Sequence, residues 1–239
     1  EIVHLSQAAE NNFVGSQCGI MDQYASVMSK SGHVILLDCL DLKARFIPAD
    51  FKSCKILLIN TKVSHSLAEG EYNNRRKECE NALNKIQQRF PSVKTMRDVG
   101  FEMLNSSKQF LLENEYTRVL YVLQENQRVI DAAEYLKLGE LKKFGDLMYQ
   151  SHYGLRDLYD VSCKELDFLV KFSEEKEYIY GSRMMGGGFG GCTINLIEEK
   201  KIPNFIKEVS KAYQEVFNKF PETIIVSPGE GTIVEIKKI

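Results

Sequence analysis

Five glycines fall within six positions at Gly186–Gly191, in the run GGGFGG. Formally this matches GxGxxG, the dinucleotide fingerprint. That fingerprint needs a strand before it, a helix after it and an acid about 20 residues on, so that a pyrophosphate meets free helix amides. Here the β-type run CTINLI follows instead, and no GK[ST] is present to make a Walker A loop. Gly186, Gly187, Gly188, Gly190 and Gly191 still offer backbone that adopts positive φ and approaches another surface closely. Such a run forms an amide nest for an anion, packs under a neighbouring loop, or serves as a tight turn into a strand.

Asp22 lies near the start of a helix, just after Cys18 and Gly19. Gly19 lets the chain approach a ligand closely there, and helix amides favour a carboxylate in the first turn. Such a carboxylate suits orienting and deprotonating a sugar hydroxyl; the same dipole equally favours an ordinary first-turn acid. Glu10, twelve residues earlier, is either a solvated helix residue or one oxygen ligand for Mg²⁺, with phosphates and water filling the remaining positions. Tyr72 offers a ring face and a hydroxyl that suit a sugar, and it also fits the apolar stripe of its helix. His65 and His152 have no partner pattern and read as structural or surface residues.

The elements that must position these residues follow from periodicity. Ile2, Leu5, Ala9 and Phe13 recur at helical spacing, VGSQCG interrupts them, and IMDQYASVMS resumes with Ile20, Tyr24 and Val27 or Met28 on one stripe. HVILLDC and KILLIN are short β-type runs, and a domain boundary is placed near Asp50. Ser66 with Glu69 forms a capping box, which starts a helix at Leu67 that ends before Pro91; Ser162 with Glu165 repeats the pattern before LDFLVKF. The middle, from about Tyr116 to Phe172, is largely helical. After the glycines come the strand CTINLI, a helix around FIKEVSKAYQEVF, and the strands TIIV and TIVEI. Strands separated by helices without regular βαβ alternation give an α+β class with a mixed or antiparallel sheet.

Composition removes several classes of function. With 31 Lys plus Arg against 33 Asp plus Glu, mixed along 239 residues, no basic stripe marks a nucleic-acid surface. The six cysteines are scattered, with no CxxC pair and no His at ligand spacing, so neither zinc nor a disulfide framework is expected. No apolar run approaches a membrane span, and the expected compartment is the cytosol. The opening IVHLSQAAENNF reads as the later turns of a helix with no start signal, so a fragment of a longer protein is expected.

Several long segments, in order, resemble the galactokinase family of the GHMP kinase superfamily. ENNFVGSQCGIMDQ with GHVILLDC resembles the segment carrying the catalytic aspartate, and HSLAEGEYNNRRKECE the sugar-contacting helix. YGSRMMGGGFGGCTI resembles the third GHMP motif, and SHYGLRDLYDVSCKELD is a further galactokinase-like stretch. The resemblance implies ATP-dependent phosphorylation of D-galactose at its C1 hydroxyl, with Asp22 as base or charge stabiliser, Gly19 and Tyr72 on the sugar, and Glu10 on Mg²⁺. Gly186–Gly191 would support the phosphate loop indirectly. The fold implied is a GHMP-type C-terminal domain over residues 51–239, preceded by the last helices and strand of the N-terminal domain over residues 1–50. The family's first motif, which binds galactose, and its second, the triphosphate cradle, are not found in this chain. The chain alone is therefore expected to be inactive, since phosphoryl transfer rests on positioning and charge stabilisation. Apolar faces at Ile2, Leu5 and Val34–Leu37 are expected to be exposed, and to associate with the remainder of the enzyme or with another copy. The alternatives are a galactokinase-like sugar-binding or regulatory protein, and a kinase for a related hexose such as N-acetylgalactosamine.

Overall fold

The computed structural model describes residues 1–15, 18–63 and 68–232. Helix α1 (Ile2–Ala9) runs into a wide π-type turn at Glu10–Val14, which closes at Gly15 with φ of 85°. Helix α2 (Met21–Met28) follows, then an antiparallel hairpin of β1 (His33–Leu37) and β2 (Ala44–Pro48). Ile2 and Leu5 are exposed, as expected. Val34–Leu37 are not: all four are half-buried. Val34 and Leu36 pack with Ile47 against Leu136, Leu141 and Met148, so the hairpin lies on the helices that follow it.

The second sheet sets the architecture. Strands β3 (Cys54–Asn60), β4 (Ile179–Met184), β5 (Cys192–Glu198) and β6 (Glu222–Val226) lie in the order β4-β5-β3-β6, each pair antiparallel. Side chains alternate between its faces with a period of two. Leu57, Ile59 and Ile197 meet Leu169 of α7 (Lys164–Glu174) and Phe205, Val209 and Tyr213 of α8 (Ile202–Phe217). On the opposite face Leu196 and Ile194 meet α5 (Glu113–Lys137) and α6 (Leu141–Asp157). Burying both faces of the central strands removes several large aliphatic side chains from water, each worth about 1.5–3 kcal/mol. The class is α+β with antiparallel sheets, in line with the sequence reading.

Helix α3 (Ala68–Arg89) ends just before Pro91 and packs Ala82 and Ile86 on Leu104 of α4 (Phe101–Ser107) and Val119 of α5. The capping box on Ser66 and the run 232–236, like His65, lie outside the described residues or at their edge. The second capping box is not made. Helix α7 begins at Lys164 with Cys163 as its cap residue, and the Ser162 hydroxyl donates to Asp167 Oδ1 instead, at 2.5 Å. Past β6 the chain returns to α2: Gly231 N–H donates to Ser29 O at 2.8 Å and Thr232 N–H to Ser26 O at 3.0 Å. These bonds tie the late chain to the helix that carries Asp22.

Candidate active site

The glycine run forms the turn between β4 and β5, closed by Met185 N–H donating to Cys192 O at 2.9 Å. Gly186, Gly188, Gly190 and Gly191 hold φ of 76°, 89°, 137° and 73°, and Phe189 between them holds 58°. Conformational freedom is thus used throughout the turn, most of all at Gly188. A Cβ there would lie 2.0 Å from Val161 O, in the turn before α7. The same carbonyl accepts the Phe189 N–H at 2.7 Å. Gly191 O accepts both the N–H and the hydroxyl of Thr61, each at 2.9 Å, fixing the far end of the turn to the end of β3.

Gly187 faces Tyr72 in the first turns of α3; a methyl at Gly187 would stand 3.4 Å from the ring. Tyr72 is half-buried rather than part of a closed core. Gly186 in turn lines a cavity of about 340 Å³ whose wall includes Met21, the residue before Asp22. The cavity runs between α5, α6 and one sheet face, with Val34, Phe144 and Leu196 apolar and Arg183, Glu125 and Ser151 polar. The glycine turn therefore packs on Tyr72 and shares a cavity with Met21, at the start of α2; Asp22 itself does not line that cavity. Asp22 sits exposed in the first turn of α2, with Ile20 buried beneath it.

Gly19 is open, with nothing within 4 Å of a Cβ placed on it, so it presents backbone without a neighbouring side chain. Glu10 is exposed in the π-type turn that follows α1, and α1 packs against α2. Among the described residues no cluster of three or more His, Cys, Asp and Glu could hold a metal ion. A lone exposed carboxylate nevertheless fits an ion such as Mg²⁺, which takes one or two carboxylates and leaves its other positions to phosphates and water.

Residues without a pattern in the sequence support this arrangement. His152 is fully buried on α6, not at the surface: its Nδ1 accepts the Met184 N–H at 3.3 Å, at the end of β4 where the glycine turn begins. Its Nε2 stands 3.2 Å from Asp167 Oδ1, close but not aligned as a hydrogen bond. An accepting Nδ1 places the ring proton on Nε2, facing the carboxylate. Burial pushes the Asp167 carboxyl upward, yet His152 and Ser162 beside it and the charge of Arg156 outweigh that, so its pKa lies below the ordinary value. Arg75 and Arg118, both buried, converge on Asp160 next to Val161. Arg75 belongs to the run RR in α3, which reads equally as a solvated face, and Arg118 stands alone in α5 with no local signal.

Known proteins agree with this fold. Residues 132–215 match the family described as GHMP kinases C terminal. The chain thus carries a GHMP kinase C-terminal domain, with the α+β architecture described above. Within that superfamily its similarity is to galactokinases. It is 37% identical over 231 residues to the galactokinase of Roseiflexus sp. (strain RS-1), covering 97% of this chain and 59% of that protein. It is 40% identical over 237 residues to the galactokinase of Thermosipho africanus, covering 99% and 65%. Among solved structures, Lactococcus lactis galactokinase complexed with galactose superposes with a TM-score of 0.91 at 32% identity, over 96% of this chain and 59% of that one. The chain thus spans roughly three-fifths of the length of the relatives it matches.

Proposed function

We propose that the full-length protein is a galactokinase, transferring the γ-phosphoryl group of ATP to the C1 hydroxyl of D-galactose, and that this chain supplies its C-terminal part. The observation that carries the reading is the meeting of three segments around one turn: Gly187 on Tyr72, and Gly186 sharing a cavity wall with Met21, beside Asp22. In each, the sequence resembles the galactokinase family, and a galactokinase with bound galactose superposes on nearly the whole chain. We divide the chain at residue 50, with residues 1–50 belonging to the N-terminal domain and 51–239 to the C-terminal domain.

In this reading Gly19 and Tyr72 contact the sugar, and Asp22 takes the proton from the C1 hydroxyl or stabilises the charge that develops there. Exposure at the head of α2 suits either role, because the carboxylate is reachable by substrate. Glu10 would hold Mg²⁺, which supplies charge neutralisation on the transferred phosphate. Gly186–Gly191 shape the site by packing, not by gripping ATP, because four of these residues are engaged by Thr61, Val161 and Tyr72. The cytosol is the proposed compartment, and no helix among the described residues is long and apolar enough to cross a membrane.

The test is ATP-dependent phosphorylation of galactose by the full-length protein, by its Asp22→Asn variant and by residues 1–239 alone. The full-length protein should be active, with Asn at position 22 lowering kcat by roughly 10²–10⁴-fold. The 239-residue chain, lacking the triphosphate cradle, should be inert. Phosphorylation of N-acetylgalactosamine in preference to galactose would move the substrate assignment to the related hexose. Galactose binding without any phosphoryl transfer by the full-length protein would instead make it a sugar-binding relative.

A further inference from the structure

The turn at residues 158–161 is not used in the proposed reaction, yet two buried arginines from different helices close on it. Arg75 stands on α3 one turn beyond Tyr72 and Arg118 on α5, with 8% and 7% of their surfaces exposed. Arg75 Nη2 lies 2.9 Å from Asp160 Oδ2, and its Nε–H donates to Asp160 O at 3.1 Å. Arg118 Nη2 reaches the same Oδ2 at 3.2 Å, while its Nη1 donates to Leu158 O. Asp160 itself is in the left-handed region, with φ of 57°. The next residue, Val161, gives the carbonyl that accepts the Phe189 N–H and lies against Gly188. Arg75 also stands over the Phe189 ring, 5.9 Å from its centroid.

These contacts make a closed circuit. Tyr72 and Arg75 share α3; Arg75 holds Asp160; Val161 holds Phe189 and Gly188; and Gly187 returns to the Tyr72 ring. We propose that Asp160 is a positioning residue for the sugar site, setting the distance between the glycine turn and Tyr72 by drawing the 158–161 turn onto the two guanidinium groups. The role at the sugar rests on the galactokinase reading above; the geometric role does not. Without the carboxylate the two cations still have Glu71 and Glu78, with Arg75 Nη1 3.2 Å from Glu71 and Arg118 Nε 2.8 Å from Glu78. They would settle on those partners and hold the turn through the Leu158 and Asp160 carbonyls alone, which lets it shift. The Asp160 side chain is 63% exposed, and an exposed anion adds little to global stability. Positioning and folding are therefore separable by experiment.

The experiment uses full-length protein labelled with ¹⁵N-glycine, comparing wild type with Asp160→Asn, which keeps the shape and tolerates the left-handed backbone but removes the charge. Arg75→Lys is the second variant, since a single ammonium cannot reproduce the forked contact to carboxylate and carbonyl. In both, the Gly187 and Gly188 amide resonances should shift and the galactose KM should rise roughly tenfold while the ATP KM stays near wild type; Tm should also stay near wild type in Asp160→Asn, whereas the buried Arg75→Lys change should lower it. The double variant should be no worse than the more impaired single one, because both changes break the same link. Unchanged glycine resonances, or a galactose KM that changes only in step with Tm, would overturn the positioning role. If wild type does not phosphorylate galactose the function assignment fails, and the resonances still decide the role of Asp160.

Discussion

Gly187 lies against the Tyr72 ring so closely that one added methyl would stand 3.4 Å from Cδ2. That distance is a full van der Waals contact with almost no slack, and no positive φ is required at Gly187. Gly187→Ala should therefore fold with less than about 1 kcal/mol of destabilisation, since a small shift of the ring accommodates it. Gly187→Val should displace the ring and raise the galactose KM several-fold more than Ala does. Denaturant unfolding together with galactose kinetics on the full-length protein separates the two effects; equal kinetics for Gly, Ala and Val would remove Tyr72 from the sugar site.

Gly188 is a different case from its neighbour. Its φ of 89° excludes an L side chain without strain, and a Cβ would fall 2.0 Å from the Val161 carbonyl. Strain of about 1–3 kcal/mol adds to loss of the Phe189–Val161 hydrogen bond. Gly188→Ala should lower stability by several times the Gly187→Ala effect, measured by urea unfolding of the two variants side by side. A larger loss at Gly187 than at Gly188 would refute this packing of the turn.

How much of this was legible beforehand depends on the range over which each signal acts. Helical periodicity placed α1 and α2, and short β-type runs placed β1, β3 and β5, because such patterns are written within a few residues. The glycine run was visible as a tight turn, but its three anchors were not. Thr61, Val161 and Tyr72 lie about 30 to 130 residues away; Tyr72 was legible as a sugar contact but not as a partner of the glycines, and nothing in the local sequence marks Thr61 or Val161. His152 read as unpartnered because its acceptor role is filled by a backbone amide, Met184 N–H, which any residue type would supply. Ser162 misled for a related reason. The spacing to Glu165 satisfies the capping-box pattern, but α7 takes Cys163 as its cap residue, which puts Glu165 at the second helical position instead of the third and leaves the Ser162 hydroxyl to donate to Asp167.

Helix α6 reaches β4 through a pair of glycines. A Cβ on Gly145 would lie 1.8 Å from Tyr180 O, and one on Gly181 would lie 2.5 Å from the Gly145 Cα. Backbone meets backbone here, so no rotamer change relieves the clash. Gly145→Ala should cost on the order of 3 kcal/mol or more by forcing α6 off the sheet. Since α6 also carries His152, the variant should disturb the start of the glycine turn as well. Far-UV and near-UV circular dichroism through a thermal melt would show retained helix with an early loss of tertiary signal; a wild-type Tm would contradict the close approach.

The carboxylate of Asp167 links that region to pH. Its pKa is depressed in the folded state, so its contribution to stability is fully present above the unfolded carboxylate value, about 3.9, and is lost as pH falls through the folded value. As the wild type is taken from about pH 5 to pH 3, stability should fall, with part of that slope owed to Asp167. In Asp167→Asn that part should vanish: the variant should be less stable near neutral pH, and the difference should narrow in acid. Ser162→Ala removes one of the donors that lower this pKa, so it should shrink the effect without abolishing it, because His152 and Arg156 remain. Unfolding free energies measured at several pH values for the three proteins decide the matter. Parallel profiles for wild type and Asp167→Asn would mean that Asp167 titrates alike in the folded and unfolded chain, and that His152 is held in place by Met184 and packing alone.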